Sequence, residues 1–336
     1  MARIAIMGSG SMGTAYGMVM SDAGGDVGLW AREPGVVQDV NGNHRNELYH
    51  PGVELPPSLW CSLDPEEVIR DADIVVLAIP SQTVRENLTA WKPLIPPDAL
   101  LVTLIKGIEI GTKLRMSQLL AEVAEVPDDR VAVVSGPNLA REIVQRQPAA
   151  TTVGCKDEAR AVALQRASST AYFRPYFTTD VVGCEIGGSV KNVIALANGM
   201  AVGQGFGENS QAALITRGLA EMSRLGVARS ANPMTFLGLA VIGDLIATCN
   251  SPLSRNRTFG ENLGKGLSVD ETIAATKQTC EGVKSCKPIL EIGQDAGVEM
   301  PITEQVVNVV HNGMKPRDML YNLMARPIRE EQGQNT

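Results

Sequence analysis

The sequence predicts an α/β domain built on a parallel-rich sheet, followed by an all-α domain. Three observations carry this. Residues 1 to about 175 alternate short β-branched runs with segments of helical spacing, the pattern of a doubly wound sheet. One of those runs, Ile74-Val75-Val76-Leu77-Ala78-Ile79, is apolar throughout, as suits a parallel strand buried on both faces. After about residue 178 the strand pattern stops and helical periodicity alone continues. A chain of 336 residues also exceeds what one hydrophobic core usually supports. The expected division is 1–178, 179–326 and a loose polar tail at 327–336.

In chain order, the expected strands are Ile4–Met7, Val27–Trp30, Ile74–Ile79, Leu100–Leu104, Val131–Val134 and Thr151–Val153. Asp64-Pro65-Glu66-Glu67 predicts a helix start: an N-cap, proline at the first helical position, then acids at the positive end of the helix dipole. Asp128-Asp129 marks a turn. Beyond Thr178-Thr179-Asp180, helices are expected over Val190–Val202, Ser210–Leu225, Pro233–Ala247, Val269–Lys277, Lys284–Gly293 and Thr303–Val310. Breaks at Gly205-Phe206-Gly207, Ser251-Pro252 and Gly264-Lys265-Gly266 separate some of them. Arg217, Glu221 and Arg224, spaced i, i+4, i+7, predict a structural charge ladder.

Composition narrows the function. Hydrophobic residues are 44% and charged residues 20%, an ordinary globular balance. The net charge of −7 offers no footprint for nucleic acid or an anionic membrane. No stretch approaches the ~18 apolar residues of a membrane span. Six cysteines are scattered without a C-x-x-C pair and far from the three histidines, so no metal site is expected and a reducing cytoplasm is. The apolar run after Arg3 is too short for a secretory signal. His44, His50 and His311 form no acid–base constellation, and Cys249 and Cys280 are expected to be packed thiols.

Gly8-Ser9-Gly10-Ser11-Met12-Gly13 is a G-x-G-x-x-G between the first strand and the first helix. Gly8 permits the tight turn, Gly10 lets backbone approach a pyrophosphate, and Gly13 lets helix pack on strand, with the helix N-terminus facing the phosphates. The sheet domain is therefore expected to be of the Rossmann type and to bind a dinucleotide. The second strand ends in Trp30-Ala31-Arg32-Glu33. Arg32 can pair with a 2′-phosphate and favours NADP, whereas Glu33 keeps NAD open.

From Ile186 to Gly207, Lys191 is the only ionisable side chain. Ala195 and Asn198 at i+4 and i+7 give it a small, partly polar face, and Gly187-Gly188 allows close approach before it. Desolvation lowers a lysine's pKa towards that of a general acid at neutral pH, which carbonyl reduction requires. Lys106 follows a strand at the carboxyl edge of the sheet, where ligands bind. Ser135-Gly136-Pro137-Asn138 offers backbone N–H groups and an amide. Asp244 stands alone in an apolar stretch and needs a cationic partner. Ser254-Arg255-Asn256-Arg257 brings two guanidinium forks beside a hydroxyl and an amide, suited to a phosphate.

With these residues in place, the chain resembles the NAD(P)-dependent glycerol-3-phosphate dehydrogenases of the bacterial type. The matching stretches are Gly8–Ala15, His44–Pro51, Ile79–Gln82, Lys106-Gly107, Ser135–Pro137, Gly187–Ala195, Ile215–Gly226, Gly243–Cys249, Ser254–Asn256 and Glu281-Gly282. The resemblance implies reversible reduction of dihydroxyacetone phosphate to sn-glycerol 3-phosphate for glycerophospholipid synthesis, with NADP or NAD and no metal, in a homodimer. It implies Lys191 as catalytic acid–base and Lys106, Gly136, Asn138, Asp244, Ser254, Arg255 and Asn256 as substrate ligands. For the cofactor it implies Gly8, Gly10, Ser11, Met12, Gly13, Arg32, Lys106, Ala140, Arg255 and Glu281. Met12 stands where the family usually carries an aromatic, and Asn138-Leu139 where it carries a small hydroxyl residue and phenylalanine. Two other readings compete: a β-hydroxyacid or ketopantoate-type reductase, and a redox-sensing NAD(P)-binding scaffold without activity.

Overall fold

The computed structural model describes residues 2–276, 280–327 and 330. Its first part alternates β1 (Arg3–Met7), α1 (Ser11–Asp22), β2 (Asp26–Trp30), α2 (Pro34–Asn43), β3 (Leu59–Ser62), α3 (Pro65–Ile69), β4 (Ile74–Leu77) and α4 (Val84–Trp91). It continues through β5 (Leu100–Thr103), α5 (Met116–Ala124), β6 (Val131–Ser135), α6 (Ala140–Val144), β7 (Ala149–Cys155), α7 (Glu158–Ala167) and β8 (Phe173–Thr178). The eight strands form one sheet in the order β3-β2-β1-β4-β5-β6-β7-β8, parallel except where β7 runs against β6. The order reverses between β1 and β4, so the loops after both strands open a crevice at the carboxyl edge. Asp64 caps α3 as its sequence predicts, Oδ1 accepting from the Glu66 amide at 2.9 Å.

Two strands escape the sequence pattern. β3 is four residues at the sheet edge, just past Pro56-Pro57. β8 alternates buried and exposed positions and contains Pro175, which suits its place at the opposite edge.

Helices follow: α8 (Val181–Gly203), α9 (Glu208–Ala228), α10 (Asp244–Asn250), α11 (Arg255–Gly264), α12 (Val269–Thr276), α13 (Glu281–Asp295), α14 (Pro301–Asn312) and α15 (Pro316–Met324). α8 is the central post, buried along most of its length, and α9, α10, α11 and α13 pack around it. Asp180 caps it, accepting from the Gly183 amide at 2.9 Å, right after the sheet ends. None of the described helices is long and apolar enough to cross a membrane.

Several expectations are corrected. Pro233–Ala247 is not one helix: a 3₁₀ turn at Pro233–Leu237 meets extended backbone at Gly238, and a π-turn over Leu239–Gly243 leads into α10. α11 and α15 were not expected as helices. Lys277, expected to end α12, and most of the tail beyond residue 327 lie outside the described residues. The charge ladder is also replaced. Glu221 is fully buried and caps α14, accepting from the Ile302 and Thr303 amides at 2.8 and 3.0 Å and from the Thr303 hydroxyl at 2.6 Å. Two orphan helix N–H groups satisfy this buried carboxylate directly, while half-buried Arg224 keeps only a longer-range attraction to it.

Candidate active site

Lys191 lies in the middle of α8, 5% exposed. Its Nζ donates to Asp244 Oδ1 at 2.5 Å and to Thr248 Oγ1 at 2.6 Å. The other carboxylate oxygen, Oδ2, accepts from Lys106 Nζ at 2.6 Å, and Lys106 also donates to the Gly136 carbonyl at 3.0 Å. One buried carboxylate thus serves two ammonium groups. Local structure explains the convergence. The π-turn before α10 ends at Asp244, and Thr248 follows at i+4 on the same helix face. A Cβ on Gly188 would come within 3.4 Å of the Lys106 stem, so glycine there keeps the passage for Lys106 open. Burial pushes the Lys191 ammonium down, Asp244 holds it up, and Lys106 pushes it down further; it comes to about 8. A group at that value holds its proton near neutral pH and can still give it up.

A helix N-terminus adjoins this cluster. α11 crosses α8 at backbone contact, because a Cβ on Gly199 would lie 2.1 Å from the Arg257 carbonyl and one on Gly260 2.2 Å from that of Leu196. Ser254 is the N-cap of α11, accepting from the Arg257 amide at 3.2 Å. Ser254-Arg255-Asn256 is therefore a helix start, with amide N–H groups and the positive dipole end available to an anion. Arg257 leaves this group, turning to Glu261 at 3.2 Å, so the second guanidinium fork is not part of it. Asn256 Nδ2 donates to Asn192 Oδ1 at 3.0 Å and its Oδ1 accepts from the Gly282 amide at 3.0 Å. These bonds join α11, the lysine helix and the start of α13.

The sheet edge supplies a cradle. Gly8 has φ +131°, and a Cβ there would lie 2.6 Å from the Ala78 carbonyl oxygen. Gly13 packs so closely that its Cβ would meet the Gly8 carbonyl oxygen at 1.9 Å, whereas a Cβ on Gly10 would meet nothing within 4 Å. That open space, at a helix start with no side-chain cap, fits a dinucleotide pyrophosphate over the first turn of α1, where Ser11 and Met12 lie. Asn46 and His50 brace the loop: Asn46 Nδ2 donates to Ser9 O at 3.0 Å, and His50 Nε2 lies 2.8 Å from Ser11 O. Arg32 lies two residues past the end of β2, with its side chain 73% exposed, 3.8 Å from Glu33. Glu281 begins α13, and its Oε2 accepts from the Ser81 hydroxyl at 2.8 Å, close to Gly107. Ala140 begins α6 at the same sheet edge. Asn138 turns away from the lysines: Nδ2 donates to Thr151 Oγ1 at 2.8 Å, and its buried Oδ1 has no hydrogen-bond partner among the described residues.

The structure thus brings Lys106, Gly136, Lys191 and Asp244 into direct contact and joins Asn256 to them through Asn192, which donates to the Lys106 carbonyl at 3.4 Å. Sequence reasoning passed over Thr248, Asn192, Ser81, Asn46 and His50. Thr248 carried a signal in its i+4 spacing from Asp244; the others carried none beyond lying in the family-like stretches or next to Lys191.

Residues 3–161 match the family model for the NAD-dependent glycerol-3-phosphate dehydrogenase N-terminus, and residues 180–321 the model for the C-terminus. A protein named glycerol-3-phosphate dehydrogenase [NAD(P)+] from Streptomyces avermitilis is 57% identical over 329 residues, covering 98% of each chain. One of the same name from Thermobifida fusca is 55% identical over 332 residues, covering 98% of this chain and 99% of that one. The crystal structure of glycerol-3-phosphate dehydrogenase from Coxiella burnetii superposes with a TM-score of 0.90 at 34% identity, covering 96% of this chain and 98% of the other.

Proposed function

Because this chain belongs to the NAD-dependent glycerol-3-phosphate dehydrogenase family and is an NAD(P)-dependent oxidoreductase, we propose that Lys191 is the proton donor as it reduces dihydroxyacetone phosphate to sn-glycerol 3-phosphate. The observation that carries this is the lysine–carboxylate–lysine cluster joined to the N-terminus of α11. When bound, the nicotinamide supplies the hydride that reaches the carbonyl carbon. The charge that develops on oxygen then needs a proton, and the Lys191 ammonium gives it. Asp244 and Thr248 hold that ammonium in one orientation, and Lys106 adds positive charge where the oxyanion forms. Ser254, Arg255 and Asn256, at the positive end of α11, hold the substrate phosphate, and Gly136, whose carbonyl holds Lys106, lines the site beside it, with Asn138 behind it bonded to Thr151. In the reverse direction neutral Lys191 takes the alcohol proton.

Gly8, Gly10, Ser11, Met12 and Gly13 would hold the cofactor's pyrophosphate, Arg32 its adenosine ribose, and Lys106, Ala140, Arg255 and Glu281 its nicotinamide end. The open space at Gly10 and the bare N-terminus of α1 support this placement. The enzyme works in the cytoplasm as a homodimer and supplies glycerophospholipid synthesis; the six free, buried thiols support a reducing compartment. The domains divide at about residue 178, where the sheet ends and α8 begins.

NADPH oxidation with dihydroxyacetone phosphate, dihydroxyacetone and ketopantoate tests the substrate class, and Lys191→Ala tests the donor. The phosphorylated ketone is turned over far better than the other two. Lys191→Ala loses roughly 10²–10⁴-fold in turnover while cofactor affinity stays nearly intact. Near-normal turnover in the folded variant removes Lys191 from this role.

A further inference from the structure

On the face of α8 that carries Ser189 and Val190 lies a second cavity, of about 300 Å³, built from both parts of the chain. Ile108, Lys113 and Arg115 come from the loop that follows β5, and Leu225 and Arg229 from the end of α9. Ile289 and Ile292 of α13 complete it. Lys191 does not line it, being two residues and more than half a helical turn from Ser189. Its volume is at the lower end of small-molecule sites.

The lining is two-sided. Its floor is apolar: Ile108, Val190, Leu225 and Ile289 are each nearly fully buried. Its rim carries three cations, Lys113, Arg115 and Arg229, and no carboxylate among the described residues lines it. Arg115 is neutralised by Glu185 behind the wall, and Lys113 is held by Asp295 at 2.8 Å and Glu291 at 3.7 Å across the joint between the two parts, which leaves Arg229 as the cation that the head group meets first. Arg229 makes no ion pair among the described residues. In a chain of net charge −7, an apolar pocket under an uncompensated guanidinium is the reverse of the general surface. A guanidinium fork takes a carboxylate or phosphate bidentately, and the floor takes a hydrocarbon chain.

We propose that this cavity is a second ligand site, separate from the Lys191 site, that binds a small amphiphilic anion with its head on Arg229 and Lys113 and its tail against Ile108, Val190, Leu225 and Ile289. An occupant touches both parts of the chain at once. It rests on Ile108, two residues beyond Lys106, and on Val190, next to Lys191. The site is therefore placed to communicate with the catalytic lysines through the two segments that carry them.

Isothermal titration of the full chain tests this, with octanoate and octyl phosphate as probes and 1-octanol and inorganic phosphate as controls. Saturating NADP⁺ and dihydroxyacetone phosphate, both already oxidised and unable to react with each other, keep the first site filled. At least one octyl anion binds with unit stoichiometry, and both controls bind roughly tenfold or more weakly, since each lacks one half of the recognition. The tighter head identifies the ligand as a carboxylate or a phosphoester. Arg229→Gln and Ala228→Glu are exposed changes on the rim, so both variants fold and retain turnover, and each weakens the octyl anion by roughly tenfold or more. Octanol binding as tightly as the anions, loss of binding when the first site is filled, or unchanged affinity in both variants overturns the proposal.

Discussion

Replacing Asp244 by asparagine removes the shared charge and keeps the shape. The carboxylate oxygen lies 2.5 Å from Lys191 Nζ, and at an effective dielectric near 20 that pair interacts by about 6–7 kcal/mol. Water entry and movement of Lys106 recover much of this, but even a quarter of it shifts Lys191 downward by about one pKa unit. The direction is fixed, because Asp244 is the group that raises Lys191 against burial and against Lys106. Ketone reduction requires the protonated amine, so its rate falls as pH rises through the Lys191 pKa, from about 8 in the parent. In Asp244→Asn that alkaline limb moves to lower pH by about one unit or more. Stability falls as well, by about 3–5 kcal/mol, because the buried Lys191 ammonium and the half-buried Lys106 ammonium lose their shared counter-ion. The assay is kcat against pH with saturating NADPH and dihydroxyacetone phosphate, beside urea unfolding of both proteins. An unmoved alkaline limb in a folded, active variant refutes the reasoning: either the limb is not Lys191 or Asp244 does not set its proton affinity.

Three further outcomes follow from the same geometry. Lys191 titrates at about 8 in the folded chain against an ordinary value of 10.5, so between those pH values the unfolded chain holds the extra proton and stability rises with pH. The unfolding free energy of the parent minus that of Lys191→Met should therefore rise by about 3 kcal/mol across that window, and a flat difference would place Lys191 at an ordinary pKa. Arg32→Asp shifts the kcat/KM ratio from NADPH towards NADH, since a carboxylate repels the 2′-phosphate that the exposed guanidinium can reach; an unchanged ratio means Arg32 does not face the ribose. Arg255→Ala raises KM for dihydroxyacetone phosphate and changes activity on dihydroxyacetone far less, so discrimination falls by roughly one to two orders of magnitude once NADPH affinity is divided out; equal losses on both substrates would assign Arg255 to the cofactor or to structure.

The strands of the sheet interior were legible because burial on both faces leaves a continuous apolar run, as at Ile74–Leu77. The edge strands were not. β3 is too short to show a period, and β8 carries a proline that only an edge position tolerates. α11 was hidden for another reason: its first turn, Arg255-Asn256-Arg257, is wholly polar, and because glycine contacts with α8 do part of the packing its apolar stripe shrinks to Phe259 and Leu263.

The charged residues divide along one physical line. Lys191 and Asp244 each stand alone in an apolar stretch, so each needed a partner from elsewhere in the fold, and the structure pairs them across 53 residues. Where a charge had plausible partners nearby, local spacing misled in both directions. Glu221 sits between two arginines at helical spacing, yet it serves as the buried cap of α14, 81 and 82 residues away. Arg257 sits beside Arg255 in a cluster suited to phosphate, yet it closes a local i, i+4 pair with Glu261. Isolation is the stronger signal, because the cost of burying an unpaired charge admits few solutions, whereas an exposed pair at helical spacing is worth only about 0.3–0.5 kcal/mol and yields to any better use of the side chain. The same reasoning explains why Thr248 went unnoticed. A hydroxyl carries no such cost, so nothing in the sequence required that it turn towards Lys191, although its place one helical turn after Asp244 allowed it.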